Sequence, residues 1–482
     1  MLMSLQLIYG PSGSGKSYTL YKKIIEQSIR EPDREFIVIV PEQFTMQTQR
    51  ELVELHPNRG ILNIDVQSFL RLAWRIFEEV GVDTHTVLED TGKNLLLRRV
   101  ASRQKNDLTV LGRNFRKPGY ISQVKSIISE LKQYDVSLEE LDEQLRSGKK
   151  DALSYKLQDI RNLYEGFQEE LQGKYITSEE ILEELCYVVK KSEILKGCVV
   201  ALDGFTGFTP IQNKLLRELM QTAEKIYVTV TLDAWEDPMK KVSMHKLSYL
   251  SKKTIQQLAG AAKECGCMLE KPEVLGKEGS IRFRSAPALR FLERHLFRPG
   301  NQIYEAQDSQ KLERELSLHV ARDAKAEAEF AARTIWHLVR EENLRYRDIA
   351  VITGDMESFG DHMKKELQQK GIPCFIDRTR KLLLNPLVEF LRAALQIATK
   401  SFRYESVFRY LRTGLAGLKR DEIDRLENYV LANGINSRRR WEEPWDEQEE
   451  PFKEKILPPL LAFVDQVREK DGTVRQKTEA LY

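Results

Sequence analysis

The stretch that decides the fold is LQLIYGPSGSGKSYTL, residues Leu5 to Leu20. It begins with a short, mostly apolar run typical of a buried strand, continues through a glycine-rich loop and ends in a helical pattern. The spacing Gly10-x4-Gly15-Lys16-Ser17 satisfies the phosphate-loop pattern G-x-x-x-x-G-K-[ST] in the strand–loop–helix context that such a loop requires. The stretch therefore predicts a parallel α/β domain with a phosphate-binding site.

Each part of this loop has a chemical reason. Glycines let successive backbone N–H groups point at phosphate oxygens, and the start of the following helix adds the positive end of its dipole. Lys16 is expected to reach the β- and γ-phosphates, and the Ser17 hydroxyl to ligate Mg²⁺. We predict ATP with Mg²⁺ as the ligand, bound by Gly10, Pro11, Ser12, Gly13, Ser14, Gly15, Lys16 and Ser17.

The strand pattern is interrupted and then resumes. FIVIV (Phe36–Val40) and ILNIDV (Ile61–Val66) predict strands that are each followed by a helix. From Thr86 to Lys191 the pattern is almost wholly helical, with capping boxes at Ser137/Glu140 and Thr177/Glu180. CVVALDGF (Cys198–Phe205) and IYVTVTL (Ile226–Leu232) then predict further strands, which indicates one α/β domain with a helical insertion.

A second α/β region is expected further along the chain. LSLHV (316–320), YRDIAVIT (346–353) and IPCFID (372–377) predict strands separated by helices, and the chain is helical from Asn385-Pro386 onward. Thr473 is predicted to cap a last helix whose apolar face is unfinished at Tyr482. We therefore expect the sequence to be part of a longer protein.

Composition narrows the class of protein. The chain has 482 residues, 41% hydrophobic and 31% charged, which suits about three soluble globular domains. A net charge of +2 predicts that any DNA site is a local groove. The five cysteines, with no framework spacing and Cys265-Gly-Cys267 too close for a zinc site, favour a reducing cytosol. No apolar run approaches about 18 residues, so we expect a cytoplasmic protein without a membrane span.

A phosphate loop also needs an acidic residue at the end of a neighbouring strand to hold Mg²⁺. The strand VVAL ends at Asp203, which we predict to be a magnesium ligand together with Ser17. The alternative is an ordinary carboxylate at a strand end.

The surroundings of Asp203 carry a resemblance. DGFTGFTPIQ (203–212) resembles the D-E-x-Q-D-x-x-P-x-Q motif of superfamily-1 DNA helicases of the UvrD type, with Asp203, Pro210 and Gln212 in register. Gly204 stands at the position of the catalytic glutamate and Thr206 at that of the glutamine. Within this group the chain resembles the AddB family over essentially its whole length, in YGPSGSGKS, VPEQFT, SFLRLAWR, DGFTGFTPIQ and LLNPLVEFLRAALQI…FRYESVFRYLRTGL.

The resemblance implies a domain plan. A first RecA-like domain (1–85 and 192–285) would contain a helical insertion (86–191). A second, incomplete RecA-like domain (286–395) would be followed by a truncated helical insertion (396–482).

It also implies a function. The chain would belong to the helicase-like subunit of an ATP-dependent helicase/exonuclease that processes double-strand DNA breaks for recombinational repair. It would form a heterodimer with an AddA-type helicase/nuclease on single- and double-stranded DNA. In the family a nuclease domain and a 4Fe–4S cluster follow this portion. Because the acidic residues and cysteines here lack the required patterns, we expect neither nuclease activity nor cluster absorbance from this chain alone.

Hydrolysis of ATP is expected to be weak. Gly204 has no side chain to orient water, and no arginine for the γ-phosphate is evident. We therefore predict nucleotide binding with little motor activity and assign no catalytic residue. A small-molecule kinase with the same loop and a vestigial nucleotide-binding scaffold remain as alternatives.

The carboxyl ends of parallel strands present their loops at one edge of a sheet. Residues that follow the second, third and fourth strands should therefore approach one groove beside the phosphate loop: Gln43, Thr45, Phe69, Arg71, Trp74 and Phe208. Aromatic rings stack on bases at about 1–3 kcal/mol each, an arginine suits phosphate, and amide and hydroxyl groups read base edges. The family resemblance implies that this groove reads the recombination hotspot Chi. The alternative is that Phe69 and Trp74 pack partly into the core.

Overall fold

The computed structural model describes residues 3–481, except 83–85, 105–106, 113–114, 116, 148–150, 173, 297, 299, 301, 306–308 and 378–381. By contacts the chain divides into two compact units, Met1–Leu318 and His319–Tyr482. The predicted boundary at residue 85 lies outside the described residues, and the four-domain plan stays a prediction.

The first unit is built on a seven-stranded parallel sheet. Its strands are β1 (Ser4–Gly10), β2 (Phe36–Ile39), β3 (Ile64–Gln67), β6 (Val199–Leu202), β7 (Lys225–Thr231), β8 (Met268–Leu269) and β9 (Glu273–Val274). Their order is β3-β2-β6-β7-β1-β8, and β9 also pairs with β1. This sheet confirms the predicted α/β class. Strand β7 lies between β1, which leads into the phosphate loop, and β6, which is followed by Asp203.

Helices cover both faces of the sheet because alternate residues of each buried strand point to opposite sides. One face packs Ile8, Phe36 and Val38 against α1 (Lys16–Arg30) and α2 (Thr45–Leu55). The other face packs Leu7, Ile39 and Leu202 against four helices. These are α3 (Phe69–Val80), α8 (Ser178–Val188), α9 (Pro210–Leu219) and α10 (Tyr249–Glu264).

The helical insertion leaves and returns through two short paired strands, β4 (Thr86–Leu88) and β5 (Tyr175–Thr177). Its own core gathers Leu97, Val124 and Leu163. The helices are α4 (Asp90–Arg103), α5 (Pro118–Gln133), α6 (Leu138–Ser147) and α7 (Ala152–Leu171). The two predicted capping boxes are present, with Glu140 N–H donating to Ser137 Oγ at 3.2 Å and Thr177 N–H donating to Glu180 Oε2 at 2.8 Å.

The elements described after β9 are all helices or short 3₁₀ turns. α11 (Pro287–His295) and α12 (Ser309–Glu315) complete the first unit. In the second unit, α13 (Ala324–Arg340) packs on α14 (Met356–Gln369) through Ala328, Ala332 and Met363. A separate core around Phe402 and Trp441 holds α15 (Pro386–Lys400), α16 (Tyr404–Leu411), α17 (Arg420–Ala432), α18 (Arg438–Glu442) and α19 (Glu450–Arg468), and α20 (Val474–Leu481) follows.

The strands predicted for the second α/β region are wrong for the described residues. Segments 316–320, 346–353 and 372–377 contain no strand, and 346–348 form a short 3₁₀ turn. Leu318, Ile352 and Phe375 are each more than 90% exposed. A β-branched or apolar run becomes a strand only where neighbouring backbone is present to pair with it, and here no such partner is described.

Within the described part of the chain, no helix combines the length and apolarity needed to cross a membrane.

Candidate functional site

The phosphate loop turns between the end of β1 at Gly10 and the start of α1 at Lys16. Gly13 and Gly15 have φ of 74° and 89°, left-handed values that favour glycine. A Cβ on Gly10 would stand 2.6 Å from the carbonyl oxygen of Leu275 and 2.6 Å from Ser14 Oγ. The loop therefore needs its glycines both for the backbone turn and for close packing.

Lys16 lies over the loop. Its Nζ donates to the carbonyl oxygens of Gly10 at 3.1 Å and Pro11 at 2.9 Å. Burial is the main cause that lowers the pKa of Lys16 to about 8; the negative charges of Asp203 and Glu293 oppose the shift, and the positive charge of Arg282 adds to it. Backbone carbonyl groups therefore hold the Lys16 ammonium at the loop, where it interacts electrostatically with Asp203 and Arg282.

The serines of the loop differ in their surroundings. Ser12 is exposed and Ser17 is half-buried in the first turn of α1. Ser14 is buried, and its Oγ has no hydrogen-bond partner among the described residues. A buried hydroxyl without a partner is unfavourable, so a phosphate oxygen at this loop would satisfy it.

Asp203 follows β6 and is 5% exposed. Its carboxylate accepts hydrogen bonds from the Tyr21 hydroxyl at 2.7 Å and from Thr229 Oγ1 at 2.5 Å. Tyr21 lies one turn after Ser17 on α1 and also contacts Thr48 Oγ1 at 3.3 Å. Burial and the charge of Asp203 raise the pKa of Tyr21 well above its ordinary range, so this hydroxyl remains a donor.

These residues fit Mg²⁺–ATP. Magnesium is commonly held by one or two carboxylates and the phosphates themselves, with waters completing the shell. Each carboxylate oxygen of Asp203 keeps a free lone pair beside the bond that it accepts. Bound magnesium would neutralise phosphate charge there, held by Ser17 and Asp203. Among the described residues, no group of three or more His, Cys, Asp or Glu could form a metal centre of its own.

Gly204 has φ of 79°. A Cβ there would stand 3.4 Å from Pro41 Cδ and 3.8 Å from Phe44 Cδ2. The position at which a helicase would carry its catalytic glutamate is therefore a left-handed turn that disfavours any side chain.

The structure adds a segment that sequence reasoning missed. We call residues Leu275–Arg282, which follow β9, the strap. The Arg282 N–H donates to the carbonyl oxygen of Gly13 at 3.2 Å, which brings an arginine beside the phosphate loop. The sequence offers no motif for this contact, because the strap lies more than 250 residues after the loop and reaches it only through the pairing of β9 with β1.

An aromatic cluster occupies the carboxyl edge of the sheet. The ring of Phe69 lies 5.4 Å from that of Phe205 and 6.5 Å from that of Phe208, and the latter two are 5.2 Å apart. Phe69 is 6% exposed, in agreement with the core-packing alternative, whereas Phe205 and Phe208 are half-buried. The structure thus brings together two predicted residues and adds Phe205.

The other predicted DNA residues are placed differently. Gln43 is exposed, and the exposed Arg71 pairs with Glu42 at 3.3 Å, so the loops after β2 and β3 meet. Thr45 is buried, and its hydroxyl donates to the carbonyl oxygen of Glu42 at 3.1 Å, which is a helix-start contact. Trp74 is 37% exposed and packs edge-on against Phe77 at 5.8 Å, one turn along α3.

Two clefts border the cluster. One, of about 410 Å³, lies between the loops that follow β2, β3 and β6 and is lined by Glu42, Phe69 and Phe205. The other, of about 1110 Å³, lies between α9 and α10. Phe208 lines this second cleft together with the cations Lys214, Arg217 and Lys253.

In this parallel sheet the phosphate loop follows β1, and the aspartate follows β6, which is separated from β1 by β7. This arrangement is that of the RecA-like class of α/β domains. The family described as ADDB, N-terminal, matches residues 7–293. The chain therefore belongs to the AddB N-terminal family.

Similar curated proteins carry one common name, which describes the B-type subunit of an ATP-dependent helicase/deoxyribonuclease. The protein of Lachnoclostridium phytofermentans is 44% identical over 100% of this chain and 43% of its own length. Those of Clostridium novyi and Clostridium tetani are 34% and 36% identical, over 97% and 92% of this chain and 41% and 38% of their own lengths. The chain thus spans about two fifths of the length of these relatives.

Proposed function

We propose that this chain is the nucleotide-binding, DNA-handling portion of an AddB-type subunit of an ATP-dependent helicase/deoxyribonuclease that acts in double-strand break repair. The observation that carries the proposal is the phosphate loop with Lys16, backed by the buried Asp203–Tyr21–Thr229 network, in a member of the AddB family. ATP with Mg²⁺ is the proposed ligand. The kinase alternative finds no support in the family to which the chain belongs.

The proposed role is binding with little hydrolysis. The loop supplies the phosphate contacts, and Asp203 supplies the carboxylate for magnesium. Gly204, in its left-handed turn, offers no group to orient an attacking water. The energy of strand separation would then come from a partner, which by the family relationship is an AddA-type helicase/nuclease in a heterodimer.

The proposed DNA site is the aromatic edge and its two clefts. Phe205 and Phe208 are half-buried rings of the kind on which bases stack. Lys214, Arg217 and Lys253 line the larger cleft and suit a phosphate backbone. Gln43, Arg71 and Trp74 are exposed on the neighbouring loops and on α3, while Phe69 and Thr45 support these loops from within.

Further features of the complete protein are part of the same proposal. The edge is proposed to read the recombination hotspot Chi on the passing single strand, within a complex that also engages double-stranded DNA. The nuclease domain and the 4Fe–4S cluster expected for the family would be supplied by the rest of the subunit. The complex would act in the cytoplasm, where the bacterial chromosome lies.

A double titration tests the proposal. The chain is titrated with labelled ATP in the presence of Mg²⁺, and separately with a labelled single-stranded oligonucleotide at two salt concentrations. We expect both to bind, with DNA affinity falling at higher salt because phosphate contacts release counterions. Binding of ATP alone would revive the kinase alternative, and binding of neither would indicate a scaffold.

A further inference from the structure

The strap is fixed on the phosphate loop from both ends. The Leu275 N–H donates to the carbonyl oxygen of Tyr9 at 2.8 Å, and the Arg282 N–H donates to that of Gly13 at 3.2 Å. Between them, the Arg290 guanidinium of α11 donates to the carbonyl oxygen of Glu278. The strap is therefore part of the wall of the site.

Its side chains reach the glycines that would face the phosphates. A Cβ on Gly13 would stand 2.6 Å from Ser280 Oγ and 2.8 Å from Arg282 Cβ. A Cβ on Gly15 would stand 3.7 Å from Ile281 Cδ1. The absence of a side chain on Gly13 is what allows the strap to approach so closely.

Two hydroxyls at this contact are buried without a partner. Ser14 on the loop and Ser280 on the strap are each 2% exposed, and neither Oγ has a hydrogen-bond partner among the described residues. Native proteins rarely leave such groups unsatisfied. A pair of them at one loop indicates a polar ligand that both would contact.

A cation lies beside them. The Arg282 side chain is exposed, and the described residues provide it with no ion pair. A Cβ on Gly13 would stand 2.8 Å from Arg282 Cβ and 3.4 Å from Arg282 Cδ, so this side chain runs directly beside the phosphate loop. Charge-assisted hydrogen bonds to phosphate are the strong interactions of an arginine so placed.

We propose that Ser280 and Arg282 are phosphate ligands, so that the strap forms a second wall of the nucleotide site and binds the phosphate chain together with the loop. This inference rests on the proposed binding of ATP at the loop. It supplies an arginine to a site for which the sequence showed none.

The test compares two probes, Mg²⁺–ATP and inorganic tripolyphosphate, titrated into the full 482-residue chain. Because the contacts are to phosphate, Arg282→Ala should weaken both probes by about tenfold or more, and Ser280→Ala both by about threefold. Arg282→Lys should recover part of the loss. Arg284→Ala, which removes an exposed arginine just outside the strap, is the matched control and should bind like the wild type.

Three outcomes would overturn the inference. Wild-type binding in both strap variants would show that the strap makes no ligand contact, and tighter binding would show that it obstructs the site. Weakened ATP with unchanged tripolyphosphate would move the contact to the nucleoside.

The failure of the proposed function looks different. If the wild-type chain binds neither probe, or if Lys16→Ala changes nothing, the loop is not the site and both ideas fall. If Lys16→Ala abolishes binding while the strap variants retain it, only the strap is removed. Circular dichroism and thermal unfolding verify the fold of each variant. Because the Arg282 side chain is exposed, its substitutions should disturb folding less than a substitution of the buried Ser280.

Discussion

The phosphate loop and the aromatic edge lie at the carboxyl ends of the same sheet but are built from different parts of the chain. The loop is backbone: glycines with left-handed φ, N–H groups and one lysine. The edge is made of side chains contributed by separate loops, with Phe69 after β3 and Phe205 and Phe208 after β6. A backbone site leaves a contiguous motif in the sequence, whereas a side-chain site depends on packing between distant segments.

The largest expected effect is a change at the phosphate loop that affects ATP binding but not DNA binding at the aromatic edge. Lys16→Ala removes the ammonium that would contact the β- and γ-phosphates, so ATP affinity should fall by about a hundredfold, within the range for charge-assisted bonds. Binding of single-stranded DNA should stay unchanged. Isothermal titration with each ligand measures both, with Lys22→Ala on the exposed side of α1 as the control. A parallel loss of DNA binding would break the separation.

At the edge the complementary change is Phe208→Ala. Loss of one stacking ring should weaken single-stranded DNA by about 1–3 kcal/mol and leave ATP affinity unaltered. Fluorescence anisotropy measures the change, with Tyr155→Ala, an exposed ring on α7, as the control. In the complete complex, hotspot and scrambled oligonucleotides are compared for Phe208→Ala, Gln43→Ala and Thr45→Ala. Unchanged discrimination in all three, with folding intact, would remove the edge as the reader.

A third change tests whether the backbone conformation at Gly204 disfavours a side chain at the position where a helicase would carry its catalytic glutamate. Gly204→Ala should lower the free energy of unfolding by about 1–2 kcal/mol, because an L-residue is strained at this left-handed turn. Gly207→Ala, in the same loop without a positive φ, should have a smaller effect. Chemical denaturation measures both. Gly204→Glu should raise ATP hydrolysis only slightly, and a large gain would show that the missing carboxylate was the sole defect.

The loop should also respond to pH through Lys16. Its pKa of about 8 lies below its ordinary value, so the folded protein loses this proton as pH rises through about 8, while the unfolded chain keeps it. ATP binding needs the charged ammonium, and its affinity should fall by up to about tenfold between pH 7 and 9. The same shift should make the free energy of unfolding rise as pH increases above about 8, because the unfolded chain then binds more protons than the folded protein. If ATP binding by Lys16→Ala has the same pH profile as ATP binding by the wild type, Lys16 is not the group responsible for the pH dependence.

The smallest expected effect concerns the network behind the loop. Tyr21→Phe removes the hydroxyl that donates to Asp203 at 2.7 Å, a loss of about 1 kcal/mol. We expect a few-fold weaker dependence of ATP binding on Mg²⁺, because the carboxylate is less firmly oriented. Tyr18→Phe, 56% exposed on the same helix, is the control. Equal behaviour of the two variants would leave Asp203 positioned by Thr229 alone.

Local rules predicted well where the determinants are close in sequence. The capping boxes at Ser137/Glu140 and Thr177/Glu180 are both present in the structure. The same rules were wrong for 316–320, 346–353 and 372–377, where an apolar pattern was present but strand partners were not described. They also left Tyr21 and Phe205 unassigned, because nothing local marks a residue as the partner of Asp203 or Phe69.

The sequence by itself determined the parallel sheet, the phosphate loop, the aspartate that follows β6 and the family, since each is written in a contiguous run of residues. The tertiary structure alone decided that the strap closes on Gly13, that Tyr21 and Thr229 hold Asp203, and that Gly204 stands in a left-handed turn. The physical reason is that hydrogen bonds to a buried carboxylate and contacts across a glycine depend on which strands become neighbours. That order, with β7 between β1 and β6 and β9 against β1, is fixed only when the whole sheet packs.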